Sequence, residues 1–302
     1  MHIPDGILST PVWASLHAVS LPAVGWMARK AKADVDESRL PLLGVMGAFV
    51  FAAQMVNFPV GVGTSGHLLG GALLATALGP AAASLVMTAI LVVQALIFQD
   101  GGILALGANI FNMAILGVFA GYLPYHFWGA GRWRRAAVFL GAMLSVLTGA
   151  CLALLQLMLS GTQMPWSAVS ISLALFLVSS LLEGAITLSV FEAIERLNPR
   201  WVRSPAGTGR VWAVLALLAL FLGLVAALFA SAAPDVLDSF TRQVGFAGDP
   251  AALFTSPFGD YEWQVVANPF LRKAAAGLFG LALIYLVCVV SARLLRRRAT
   301  AT

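Results

Sequence analysis

The chain has 302 residues, 60% of them hydrophobic and only 10% charged, with a net charge of +5 and a mean hydropathy of +0.90. A soluble protein carries about a quarter charged residues, so a water-soluble globular build is excluded. The basic residues cluster between apolar runs, which fits cytoplasmic loops of a membrane protein and gives no reason to expect a nucleic-acid partner.

The first residues, MHIPDGILSTPVW, lack the basic n-region and early apolar core of a cleaved secretory signal, so the start is expected to be mature and to keep Met1. Nine apolar runs follow, at about 11–28, 40–58, 66–79, 81–98, 104–126, 136–159, 168–191, 210–230 and 271–292. They predict an all-α polytopic transmembrane helix bundle of about nine spans. The third run is short and the fifth opens on a Gly-rich stretch, so both are candidates for broken spans, which need protein around their backbone. Arg29, Lys30, Lys32 and Arg39, then Arg132, Arg134 and Arg135, then Arg196, Arg200, Arg203 and Arg210, then Arg293 and Arg296 to Arg298 fall in alternate loops. Only Arg242, Arg272 and Lys273 lie on the other side. The positive-inside rule then predicts an outside N-terminus and an inside C-terminus in a multi-pass protein of the inner (plasma) membrane. The Pro-, Gly- and Arg-rich stretch 199–209 reads as a linker. It divides a seven-span body, 1–200, from a two-span accessory region, 201–302, whose outside loop covers 231–270.

Cys151 and Cys288 sit apart in apolar runs and suggest neither a disulfide nor a thiolate metal site. There is no HExxH, no GxxxxGK[ST] phosphate loop and no GxSxG elbow, so neither an enzyme nor an ATPase is expected. Of the four histidines, His2 and His67 fall on the outer side. The α-amine of Met1, the backbone nitrogen of His2 and its Nδ1 can chelate one ion in fused five- and six-membered rings. The His67 imidazole completes a square of nitrogens, a geometry that favours Ni(II) or Cu(II). A frayed terminus is the competing reading, and the residues alone leave both open. Asp100, Asn109, Asn112 and Glu183 are polar groups at membrane depth; inter-helix hydrogen bonding is their ordinary role and a functional one the alternative. His17 is expected inside the bundle and His126 at the cytoplasmic interface.

Met-His-Ile-Pro-Asp-Gly at 1–6, Gly63-Thr64-Ser65-Gly66-His67, and Gln94 to Gly102 running on through Leu106 to Ala114 together resemble the CbiM/NikM family, the substrate-specific components of energy-coupling factor transporters for cobalt and nickel. The accessory region resembles the CbiN/NikN partner. Its Pro234-Asp235-Val236-Leu237-Asp238 departs from a PDGLE motif at the Gly and the Glu, and Ser256 to Tyr261 fits the partner's second motif better. The resemblance implies that Met1, His2 and His67 hold Ni(II), or Co(II), as substrate ion, with no enzymatic cofactor. Asp5, Asp100, Asn109 and Asn112 are the candidates for supporting these ligands. It also implies a transmembrane coupling subunit and ATPase subunits on separate chains, and an accessory loop that aids metal loading or release. The TSGHLLG sequence and the fused arrangement favour nickel. The other classes considered are a gradient-driven secondary transporter, which would show matched inverted halves, and an intramembrane metalloenzyme, which would need an open coordination position. Since no proposed ligand lies there, removal of roughly 235–265 is expected to impair transport more than static binding.

Overall fold

A computed structural model describes residues 1–34, 39–197, 209–226, 235–243 and 254–297. The linker at 199–208, Pro234 and Asp249 lie outside these residues, as do Arg200, Arg203 and Arg298. The chain is mainly helical: α1 (Thr10–Asp34), α2 (Leu40–Gln54), α3 (Gly71–Leu78), α4 (Pro80–Phe98), α5 (Leu106–Trp128), α6 (Arg134–Leu159), α7 (Trp166–Leu197), α8 (Gly209–Phe221), α9 (Val236–Gln243) and α10 (Pro269–Arg297). Among the described residues α4, α5, α6, α7 and α10 have both the length and the hydropathy to cross a bilayer, while α2 and Ala213–Leu224 are apolar but shorter. In lipid each backbone N–H and C=O must be satisfied internally, which is why such apolar runs become helices.

The prediction of an all-α fold needs one correction. Residues Asn57–Gly61 (β1) and Thr64–His67 (β2) form an antiparallel hairpin that pairs Asn57 with His67 and Phe58 with Gly66. The predicted third span, 66–79, is accordingly the end of β2, a buried stretch without regular structure, and the eight-residue α3. Eight helical residues rise only ~12 Å. Gly66, Gly70 and Gly71 disfavour helix here, and the amides of Leu69 and Gly70 are bonded instead by the Glu183 carboxylate of α7, at 2.7 and 2.8 Å.

Contacts between the ends of the elements sort the molecule into two poles. At one pole Ser9 N donates to Ser160 Oγ, Gly102 N to Ile3 O, and Gln99 Nε2 to Phe254 O. At the other, Arg134 and Arg135 pair with Glu195 and Glu192 at 3.0 Å each, and a small cavity is lined by Lys32, Leu40 and Ala292. The first pole therefore gathers residues 1–9, the hairpin, the turn 99–105 and the accessory loop, and the second gathers basic side chains. His126 lies near the end of α5, at this basic pole; His17, half-buried, bonds Trp13 O and packs on Gly107.

Candidate metal site

The N-terminal peptide is folded into the bundle. Ile3 is pinned by Asn109, whose Oδ1 accepts from Ile3 N at 2.8 Å and whose Nδ2 donates to Ile3 O at 3.0 Å. Asp5 accepts from the amides of Ile103, Leu104 and Ala105 at 2.8–3.2 Å. This approach needs Gly102: a Cβ there would stand 2.1 Å from Asp5 Oδ1 and 2.4 Å from Asp5 N. The last turn of α4, Gln94–Phe98, is a wide π-type turn ended by Gln99 at φ +56°, and it delivers Asp100 to the same peptide.

These seats bring Met1, His2 and His67 together. Met1, His2 and His67 are 6%, 7% and 8% exposed, so the cluster is closed to water. The Met1 amine lies 2.8 Å from His67 Nε2. The His2 and His67 rings are nearly parallel, 5° apart, with centroids separated by 5.4 Å. A cavity of about 10 Å³, room for a single small occupant, adjoins Met1 and His67 and is bounded by Phe176, Ser179, Asp235 and Val236. Burial, then the positive terminal amine and His2, push the His67 pKa down to about 3, so its ring is neutral at physiological pH.

Asp100 meets the His2 Nδ1 at 2.9 Å. Burial raises the Asp100 pKa, but the His2 ring and the hydrogen bonds it receives outweigh burial and hold it well below the usual carboxylate range. His2 Nε2 is buried without a hydrogen-bond partner. Here the geometry differs from the expected chelate, in which Nδ1 faces the ion. The Nδ1–Asp100 contact has to open before Nδ1 can face an ion. Of the four candidate supporting residues, Asp100 and Asn109 touch the N-terminal peptide, and Asp5 anchors it to the turn 99–105. Asn112 instead forms a reciprocal amide pair with Gln156 at 2.9 and 2.6 Å, the inter-helix role expected by default.

Sequence reasoning missed Asp235. Its carboxylate is hydrogen-bonded to the Met1 amine, and Ser65 bridges to it as β2 passes α9. The partial PDGLE match marked this aspartate, but nothing local to it says that it reaches residue 1. Among the described residues no three side chains of His, Cys, Asp or Glu converge as a ligand set.

An apolar multi-pass bundle with a nitrogen-rich pocket sealed at one pole has the build of a metal transport component rather than an enzyme. The chain belongs to the CbiM family: the model for that family's cobalt uptake substrate-specific transmembrane region matches residues 2–201, and a PDGLE domain model matches residues 209–297. It is 31% identical to the fused nickel transport protein NikMN of Rhodobacter capsulatus over 99% of this chain and 100% of that one. It is 40% identical to the cobalt transport protein CbiM of Acetoanaerobium sticklandii over 53% of this chain and 67% of that one. A crystal structure of a truncated transition metal transporter superposes with a TM-score of 0.58 at 34% identity, over 65% of this chain and 99% of that one. The relatives are named for nickel, cobalt or transition metal transport, and this chain shares their family and has the apolar helices of a multi-pass membrane protein.

Proposed function

We propose that this protein is the ion-capturing component of an ATP-driven nickel importer, and that it holds Ni(II) in a plane of four nitrogens: the Met1 amine, the His2 backbone nitrogen, His2 Nδ1 and His67 Nε2. The observation that carries this reading is the buried 2.8 Å approach of the Met1 amine to His67 Nε2. Cis donors around an ion with metal–nitrogen bonds of ~2.0 Å lie ~2.8 Å apart, so one arrangement serves a hydrogen bond without the ion and two ligands with it. Asp235 neutralises the terminal ammonium, and the same carboxylate would balance a divalent ion in the proton's place.

The body, 1–200, captures the ion and the accessory region, 201–302, governs its loading and release. Asp235 and Val236 on the cavity wall support that division of labour. The chain crosses the plasma membrane about nine times, with the site pole outside and the C-terminus inside. The basic pole supports this orientation, and α3 with the buried stretch before it makes the short third passage. Energy comes from a transmembrane coupling subunit and ATPase subunits on separate chains, in keeping with the missing phosphate loop. Nickel is preferred over cobalt on the planar nitrogen set and on the full-length likeness to a fused nickel transport protein.

The test uses the terminus. One residue added before Met1 turns the amine into an amide and leaves both imidazoles in place. The extended protein is expected to insert normally and to lose tight nickel binding in dialysis, while a C-terminal tag leaves binding intact. Undiminished nickel affinity in the extended form would exclude the amine as a ligand, and tighter retention of Co(II) than Ni(II) by the native form would reverse the metal preference.

A further inference from the structure

Glu183 lies within the apolar helix α7, is 0% exposed, and has no role in ion ligation. A carboxyl group at membrane depth is costly, and hydrogen bonds must offset that cost. Here Oε2 accepts from Leu69 N at 2.7 Å and Oε1 from Gly70 N at 2.8 Å. One turn earlier on the same face, Ser179 stands against Gly66, where a Cβ would lie 2.9 Å from its hydroxyl. From α2, Gln54 donates its Nε2 to Leu69 O at 2.7 Å. The backbone just after His67 is thus gripped by two helices, on its donors and on its acceptor.

That backbone holds the His67 ring. His67 Nδ1 lies 3.0 Å from Leu68 O, and a carbonyl oxygen can only accept, so Nδ1 carries the ring proton. Nε2 then bears the free lone pair, and Nε2 is the nitrogen that faces the Met1 amine. A ligating imidazole ordinarily donates its other N–H to a fixed acceptor, which sets the tautomer and the ring orientation. Leu68 O is that acceptor. It belongs to the same planar peptide unit as the Leu69 N–H that Glu183 binds, so the two ends of one rigid plane meet the histidine and the glutamate.

We infer that Glu183 is a positioning residue for the metal site: by holding the Leu69 N–H it fixes the Leu68–Leu69 peptide plane, and the carbonyl of that plane holds His67 with Nε2 toward the ion. This role rests on the proposed chelate, in which His67 Nε2 is the fourth nitrogen. Loss of a group that orients a ligating imidazole changes metal affinity by roughly 10–100-fold, which sets the size of effect to look for.

The experiment measures Ni(II) affinity by dialysis on full-length protein with a native N-terminus, as wild type, Glu183→Gln, His67→Ala and the double variant. Glu183→Gln keeps the side-chain volume but replaces one acceptor oxygen by an NH2 group that faces an N–H donor. It is expected to weaken binding about 10-fold. In the His67→Ala background, where the remaining nitrogens are read at higher nickel concentration, the added Glu183→Gln change is expected to have no further effect. A general loosening of the bundle would instead weaken both backgrounds alike. Glu183→Asp, which keeps the buried acid and withdraws it by one methylene, gives the same comparison with a milder change if Glu183→Gln does not fold. Wild-type affinity in the folded Glu183 variant, or an equal loss with His67 already gone, overturns the inference and leaves the terminal chelate standing. Failure of the wild type itself to bind nickel, or wild-type affinity in His67→Ala, overturns both.

Discussion

His67 owes its chemistry to where it is held. The free ring has a pKa of ~6.5, and burial with nearby positive charge lowers it to about 3 in the fold. The sign follows: between these values the unfolded chain takes up a proton that the folded site refuses, so acidification through that window disfavours the folded state, and stability recovers as pH rises toward 6.5. At neutral pH the lone pair of Nε2 is available to an ion without proton loss. Under the proposed chelate, nickel binding at pH 7 therefore releases the His2 amide proton and takes none from His67. Calorimetry in buffers of different ionisation enthalpy measures that release, and a value of zero would rule out amide ligation. His67→Ala is expected to abolish high-affinity nickel retention, on the order of 100-fold or more, while the protein still inserts in the membrane. Normal retention by that variant would remove His67 from the site.

Among the elements, the turn 99–105 does most to build the pocket. It seats the N-terminal peptide from both sides, through Asp5 on its amides and Gly102 N on Ile3 O. Gly102→Ala places a methyl group inside van der Waals contact with Asp5 backbone and side chain. The peptide is expected to lift out, with nickel affinity falling by about 10-fold or more and the Met1 amine becoming reactive to amine-directed labels. A variant whose Met1 is still protected from the label would show that the turn tolerates the methyl. Helices α4 to α7 and α10 were legible in the sequence because length and hydropathy decide them. The hairpin 57–67 was not, because its short, Gly-rich strands carry no alternation that stands out from the apolar runs around them. Its pairing depends on the bundle, where α7 supplies Glu183 to the segment that follows it.

For the whole molecule, the accessory region is part of the pocket wall. The expectation that removing roughly 235–265 impairs transport more than static binding rested on the lack of a ligand there. The structure changes it, since Asp235 reaches the Met1 amine and Tyr261 reaches Asp100. Val236, Leu237 and Phe240 of α9 are buried, so the segment is packed in place rather than resting on the surface. Asp235→Ala should leave the buried cationic site without its carboxylate, and nickel binding is expected to weaken about 10-fold, less than in His67→Ala. Equal affinity of Asp235→Ala and wild type in dialysis would return α9 to a purely transport role.

The sequence by itself determined that this is a helical membrane protein of the CbiM family, because hydropathy and three ordered motifs are local properties that need no fold to be read. It also marked Met1, His2 and His67 as the residues to watch, through their chemistry and their shared side of the membrane. Only the tertiary structure decided that the Met1 amine and His67 Nε2 meet at 2.8 Å, that Asn109 serves the N-terminal peptide while Asn112 pairs with Gln156, and that Asp235 and Tyr261 belong to the surroundings of the site. Those contacts join residues up to 234 positions apart, and closeness of that kind is set by helix packing and by the paths of buried hydrogen bonds, neither of which leaves a periodic trace in the sequence.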